Sequence, residues 1–554
     1  MKNFFNNFLK YKEKNNYKFI LPNTANNINI SNFKNSDHKK VSADLKENLK
    51  YLKVKFNTLI NSDIKTREFE VQINSRKYSA CIFFIDGMVC NNDINEFILK
   101  PLLLKNSITM NSNTRNQILA KNNSISDVQK YLHSCLFPEN SITLEDDFFN
   151  IVPKINSGFC ALFIESLPIA FCLEVKGVKT RGIEEPTTES VIKGPHEGFI
   201  ENLRTNTSLL RKIINNEKLI IEEMEVGKIS KTKVAICYLK DITNEDLVAE
   251  TKYRINNLDI DYLISSGQLE QFISDNFSYT LPQTISTERP DKAANFIFLG
   301  RIAILVNGSP FAIIVPSVLL DFLSSAEDFN LNYIYANFLK VVRLIALISA
   351  LLVPGLYVAI TMYHYELVPS ELLFAIIAAR KAIPFPIIFE ILIMEICFEL
   401  IQEASIRAPA SFSTTVGIIG ALILGDAAVS ANIVSPILII IVAYSGICAF
   451  AIPDNGLRFS MRLFRFMYLI LGYIAGFLGI GLGFFVQFLL LSSQSSFGVP
   501  FFAPYIPFSD LKKNESLFVE PVWKRENRNT YLNTKKPKIE NHISMKWREN
   551  GKQL

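Results

Sequence analysis

The chain has little of what enzymes and nucleic-acid binders usually display. Only five of its 554 residues are His, and His196 has no companion at metal-ligand spacing. There is no GxxxxGK[ST], no GxGxxG, no HExxH and no GxSxG, so the patterns that hold phosphate, zinc or a nucleophilic serine are missing. The eight cysteines (Cys81, Cys90, Cys135, Cys160, Cys172, Cys237, Cys397 and Cys448) include no CxxC, which favours reduced, structural thiols over a redox or zinc site. Basic excess is small: 58 Lys+Arg against 53 Asp+Glu leave +5, too little to argue for nucleic acid. The start, Met1-Lys2-Asn3-Phe4-Phe5, lacks the apolar core of a signal peptide, so the N-terminal region is expected to stay in the cytoplasm. Nothing here supports catalysis, a cofactor or a metal.

Charge itself is scarce in the second half. The 20 residues between Arg343 and His364 carry none, the 46 between Arg407 and Asp454 carry only Asp426, and the 44 between Arg465 and Asp510 carry none. A membrane-spanning helix needs about 20 mostly apolar residues. Mean hydropathy is +0.19, high for a soluble chain of this size. Apolar segments fall at 341–362 (interrupted by Pro354-Gly355), 386–401, 412–452 (broken at 432–436) and 466–491. The segment 372–382 is short, ends on Arg380-Lys381, and reads as interfacial or re-entrant. Five crossings are expected, or four to six. Lys and Arg favour the cytoplasmic face, but one crossing between Arg458, Arg462, Arg465 and the tail cannot put all of them there. The tail from Asp510 carries 11 Lys/Arg against 6 Asp/Glu and reads as cytoplasmic and facing anionic lipid.

The first 330 residues alternate strand and helix patterns. Residues 67–86 predict a β-hairpin, 91–104 a helix, and Gly158 to 175 a second hairpin. The run from Gly300, with its turn at Asn307-Gly308-Ser309-Pro310, repeats the ten-residue Gly-to-Pro spacing of that second hairpin, and the two read as related hairpins of one sheet. Helices are expected at 199–216, 244–257 and 263–275, and a strand at 233–239. The fold class is thus an α+β/α-β cytoplasmic N-terminal region of two subdomains followed by an all-α polytopic membrane domain. Its divisions are a mobile leader (1–45), subdomains at 46–150 and 151–330, a membrane domain at 338–508 and a basic tail at 509–554.

Acids inside the apolar segments are the candidate functional residues. At about 100° per residue Glu395, Glu399 and Glu403 share one stripe, and Glu390 lies opposite Glu399. A charge at the bilayer centre costs about 2.5–3.5 kcal/mol, so such residues face a water-filled cavity or a partner. Glu390, Glu395 and Glu399, with the isolated Asp426, therefore read either as the lining of an ion path or as structural partners of Arg380, Lys381 or Arg407. The soluble half holds two ionic runs. Pro195 reads as a helix start, with Glu197 and Glu201 in its first turns.

Those runs and the membrane motifs carry a resemblance. Arg181-Gly-Ile-Glu-Glu-Pro-Thr-Thr-Glu189, Lys193-Gly-Pro-His-Glu-Gly-Phe-Ile-Glu-Asn-Leu-Arg-Thr-Asn206 and Thr287-Glu-Arg-Pro-Asp-Lys292 resemble signatures of the A subunits of spore germinant receptors, the GerA family. Ala379-Arg-Lys-Ala-Ile-Pro-Phe-Pro386, Met394-Glu-Ile-Cys-Phe-Glu399 and Ser496-Phe-Gly-Val-Pro500 fit it too. The resemblance implies a multi-pass protein of the spore inner membrane, acting with a transporter-like B subunit and a lipoprotein C subunit. It also implies a homo-oligomer conducting ions in nutrient-triggered germination. On that reading Arg181, Glu185, Glu189, Glu197, Glu201, Arg204 and Arg289 are candidate subunit contacts.

Overall fold

The computed structural model describes residues 19–21, 39–73, 76–104, 142–175, 177, 185–186, 188–276, 280–409, 417–418, 420, 423–506 and 518–539. The chain forms two units, one of residues 1–274, 286–316 and 526–543, the other of 275–285, 317–525 and 544–554.

The first unit is built on two five-stranded sheets. The first contains β1 (Ile64–Ile73), β2 (Arg76–Ile85), β3 (Ile142–Glu145), β4 (Phe159–Ile164) and β5 (Ala170–Glu174), in the order β1-β2-β4-β5-β3. Period-two alternation sends Ala80 and Ile82 to one face, against Ile94, Ile98 and Leu102 of the helical run beginning at Asn91. Cys81 and Phe83 go to the other face. There they meet Leu49 and Leu52 of α1 (Leu45–Lys55) and Phe148 and Ile151 of α2 (Phe148–Asn156). Asp44 and Asp147 cap these helices by accepting the Lys46 and Phe149 N–H groups. The expected hairpin and helix are present, with Arg76 and Lys77 already paired in the second strand.

The second sheet contains β6 (Leu219–Val226), β7 (Thr232–Leu239), β8 (Ile285–Thr287), β9 (Ile302–Val306) and β10 (Ala312–Val315), in the order β6-β7-β9-β10-β8. That order is the first sheet's order shifted by five. The Gly158 and Gly300 hairpins are therefore equivalent members of two sheets, not neighbours in one. Each is preceded by a helix, α2 in the first sheet and α6 (Pro290–Phe298) in the second, and Gly158 and Gly300 take the same left-handed turn (φ 91° and 98°). Strands β4 and β5 complete the first sheet, so it runs past the boundary expected at 150. Pairing across the sheet decides membership, and a local pattern does not reveal it.

Between β5 and β6, α3 (Leu203–Ile213) begins at Asn202, whose side chain accepts the Thr205 N–H. Pro195 does not start it. Residues 195–201 are non-helical: Phe199 N–H donates to the Glu288 carbonyl and Asn206 brackets Ile200 on both its N–H and its carbonyl. Two further helices follow, α4 (Glu245–Asn256) and α5 (Ser266–Ile273), near their expected positions. The chain returns to this unit at 526–539. Lys535 N–H donates to the Ile242 carbonyl (3.0 Å), its Nζ meets Glu245 (2.6 Å), and Arg528 Nε donates to the Phe298 carbonyl (2.8 Å). This part of the basic tail is thus held by protein rather than left free for lipid.

The second unit is helical: α7 (Tyr333–Tyr363), α8 (Ser370–Arg380), α9 (Ile387–Arg407), α10 (Pro436–Phe450) and α11 (Asn455–Ser492). Pro354 does not interrupt α7. Gly355 there lets α11 approach closely: a Cβ would come within 2.7 Å of the Tyr468 carbonyl oxygen. As a straight rod, α11 would run about 57 Å. Instead Ala475 and Gly476 leave helical geometry, Gly476 at φ 56° and ψ −138°, and the chain folds back. The Tyr468 hydroxyl then donates to Gln487 Oε1, which a continuous helix would forbid. Among the described residues two helices, α7 and α11, suit a membrane crossing by length and composition; α10 is apolar but shorter. Among the described residues, the expected five crossings are not all matched by helices of spanning length.

Candidate functional site

The acids of α9 carry much of the buried charge of the helical unit, which also buries Asp328 against Arg343. Glu390 and Glu395 are fully buried and Glu399 largely so. Arg380 reaches Glu390 through Nε (3.3 Å) and Nη2 (3.2 Å), and the Ser435 N–H lies 3.4 Å from the other carboxylate oxygen. One helical turn of α9 further on, Arg465 Nη2 sits 3.2 Å from Glu395 and 2.7 Å from Glu399, and its Nη1 donates to Ser445 Oγ (3.2 Å). Arg462 closes on the second Glu399 oxygen. Two carboxylates thus face two guanidiniums in a dry interior, where the ions' mutual attraction must offset the cost of removing them from water. Neither Glu395 oxygen has a well-aligned hydrogen bond.

Of the candidate acids, Asp426 stands apart. It is exposed, on the turn Ile423–Ala427, and no ion pair reaches it among the described residues. Glu403 pairs with Arg407 on the helix surface (2.7 Å). The pairing partners weighed from sequence are therefore found for Glu390, while Glu395 and Glu399 use Arg462 and Arg465 instead. Those arginines had been read only as topology signals. Their i,i+3 spacing at the start of a long apolar helix, matched to acids at i,i+4, was the available clue.

In the first unit the ionic runs fold largely inward. Arg289 is fully buried. It donates to the Glu189 carbonyl (3.1 Å), the Pro195 carbonyl (2.8 Å) and the Asp291 carboxylate (2.9 Å). Lys292 holds the Glu189 carboxylate at 2.6 Å, and the Thr287 hydroxyl donates to its other oxygen. Arg289 is thus an internal anchor of residues 189–195 and not a surface contact, because its guanidinium satisfies backbone carbonyls that burial would orphan. Arg204 bridges Asp86 (3.0 Å) and Glu223 (3.4 Å) within the unit. Glu185, facing His196 at 3.4 Å, and Glu201 are exposed, and Glu197 is half-buried beside Lys212 (2.5 Å). Arg181 lies outside the described residues. Beneath these, Asp63 and Arg211 form a buried bidentate pair (2.6 and 3.0 Å) that fixes β1 to α3. Among the described residues no group of three His, Cys, Asp or Glu is placed to hold a metal ion.

Comparison with known proteins places this geometry in context. Residues 50–531 match the family described as Bacillus/Clostridium GerA spore germination protein. Spore germination protein KA of Bacillus subtilis is 36% identical over 468 residues, covering 84% of this chain and 83% of that protein. Spore germination protein A1 of the same organism is 36% identical over 371 residues, 67% of this chain and 77% of that one. Among solved structures, the N-terminal domain of the A subunit of the Bacillus megaterium spore germinant receptor GerK3 matches 51% of this chain and 99% of its own. It does so with 26% identity and a TM-score of 0.38.

Proposed function

Because this chain belongs to the Bacillus/Clostridium GerA family of spore germination proteins, we propose that it is the A subunit of a nutrient germinant receptor in the spore inner membrane. In this role it converts germinant binding into ion release, with several copies forming a channel, beside a transporter-like B subunit and a lipoprotein C subunit. The observation that carries the reading is an inside-out charge distribution in the helical unit. Glu390, Glu395 and Arg465 lie inside, while Ile396, Leu400, Ile440, Ile447, Leu478 and Leu482 are exposed. Water would not support that arrangement, and hydrocarbon would. The N-terminal unit and the tail then share the cytoplasmic side.

On this reading the Glu395–Glu399–Arg462–Arg465 cluster is the closed state of the path: the carboxylates are held by cations of the same chain and released to an aqueous lumen when the helices shift. Full-length protein in potassium-loaded liposomes should pass monovalent cations, and Glu395→Gln with Glu399→Gln should change that flux severalfold. Flux unaltered by both substitutions removes these carboxylates from the path.

A second reading is favoured by the same cluster, since its charges already balance within one chain. The helices would then only anchor a scaffold that docks the B and C subunits, through Glu185, Glu197 and Glu201. It predicts no conductance, with crosslinks from those positions to the partner subunits.

A further inference from the structure

Beside α8 the helical unit holds a cavity of about 340 Å³. Val368, Leu373, Ile376 and Ile377 form an apolar wall, and Tyr365, Arg380 and Lys381 supply polar groups. The eleven residues of α8 rise about 16 Å, roughly half of a hydrocarbon core. The helix opens on Glu371 and closes on Arg380 and Lys381, so both ends want water while its middle is apolar. Leu372, Phe374 and Ile377 are exposed along it. A helix of that length cannot cross the hydrocarbon core, so in a membrane its charged end at Arg380 and Lys381 sits at the level of the lipid headgroups.

The charge around the cavity is specific. Arg380 spends Nε and Nη2 on Glu390, leaving Nη1 without a partner among the described residues. Lys381 is exposed and has no ion pair among the described residues. Two cations against one carboxylate leave a single net positive charge, which one monoanionic phosphodiester would neutralise. We propose that this cavity is a binding site for an anionic phospholipid, with the headgroup phosphate between Lys381 and the free Nη of Arg380 and an acyl chain along Leu373 and Ile377. The inference rests on the membrane reading above and goes beyond it, because apolar contact alone would not distinguish one lipid from another.

The test reconstitutes the full-length protein in vesicles of equal parts phosphatidylcholine and phosphatidylglycerol, then measures by mass spectrometry the lipid retained after detergent extraction. Phosphatidylglycerol should be retained preferentially. Lys381→Gln should lower that preference about fivefold, the equivalent of about 1 kcal/mol for one cationic side chain at an anionic surface, and Lys381→Arg should restore it. Equal retention of the two lipids, or a preference untouched by Lys381→Gln, would overturn the site. So would inorganic phosphate that displaces the lipid as readily as phosphatidylglycerol does, since the site would then recognise a free anion. Protein that fails to float with washed vesicles would instead overturn the membrane reading; protein that floats without lipid preference would overturn only the site.

Discussion

Arginine does most of the organising at the scale of single residues. Arg211, Arg289 and Arg465 are each nearly or wholly buried, and each satisfies several oxygens at once, as its planar fork of donors permits. The Asp63–Arg211 pair illustrates the stakes. Removing one partner leaves a buried charge without compensation, a loss of about 3–5 kcal/mol. Asp63→Ala should therefore lower the denaturant midpoint of the α/β unit by that equivalent, while the exposed pair Lys77–Glu70 should change it by less than about 1 kcal/mol when broken. Comparable effects from the two would show that the buried pair does not fix β1 to α3. These partnerships were only partly legible in sequence. Glu395 and Glu399 drew notice as acids in an apolar run, but their partners lie more than sixty positions away.

Elements were read more faithfully than residues, and their failures have local causes. Period-two alternation found the β1–β2 hairpin. Pro195 misled because a proline suits a helix start and an irregular segment equally, and the Asn206 bracket on Ile200 decided for the latter. In α11 the long apolar run concealed a reversal. A residue with a side chain is disfavoured at φ 56° and ψ −138°, and a Cβ at Gly476 would lie 3.1 Å from His364 Nε2. Gly476→Val should destabilise the hairpin by about 1–3 kcal/mol, visible as faster amide exchange around Gln487; unchanged exchange would mean that the reversal does not need glycine.

The C-terminal strap (526–539) is the other element whose packing the sequence did not show. Burial pushes the Asp241 carboxyl up, but Lys218 and Lys536 more than reverse this and hold it below its ordinary value; hydrogen bonding to Lys535 likewise lowers Glu245. A lowered carboxyl stabilises the strap above its unfolded pKa of about 4 and loses that contribution as pH falls through the folded value. Amide protection at Lys535, relative to Ile313 in β10, should therefore hold from neutral pH down to about 4 and fall below it. Constant relative protection down to pH 3 would remove these ion pairs from the strap's stability.

For the whole molecule the outstanding matter is topology. Positive charge at Arg458, Arg462 and Arg465 and in the tail could not share one side across a single crossing. On the proposed membrane reading the reversal at Gly476 would remove the conflict, since both ends of α11 return to the same segment: Ser460 Oγ donates to the Thr280 carbonyl, and Ser496 Oγ to that of Gln283. Cysteines placed at Asp454 and at Ser493 should accordingly be labelled by a membrane-impermeant maleimide from the same side of the vesicle, and one at the exposed Ala475 from the other. Opposite labelling of the first two would make α11 a single crossing.

Composition alone settled that the first half is an α/β body and that the second is apolar, because strand and helix periods and the absence of charge are properties of short windows. The motifs settled the family, since they recur in order along most of the chain. Only the tertiary structure decided that the α/β body repeats one five-stranded plan, that the last helix turns back on itself, and that the acids of α9 are answered by arginines from α11. Each of these depends on which distant segments meet, and meeting is governed by packing and charge balance in three dimensions rather than by neighbours in the chain.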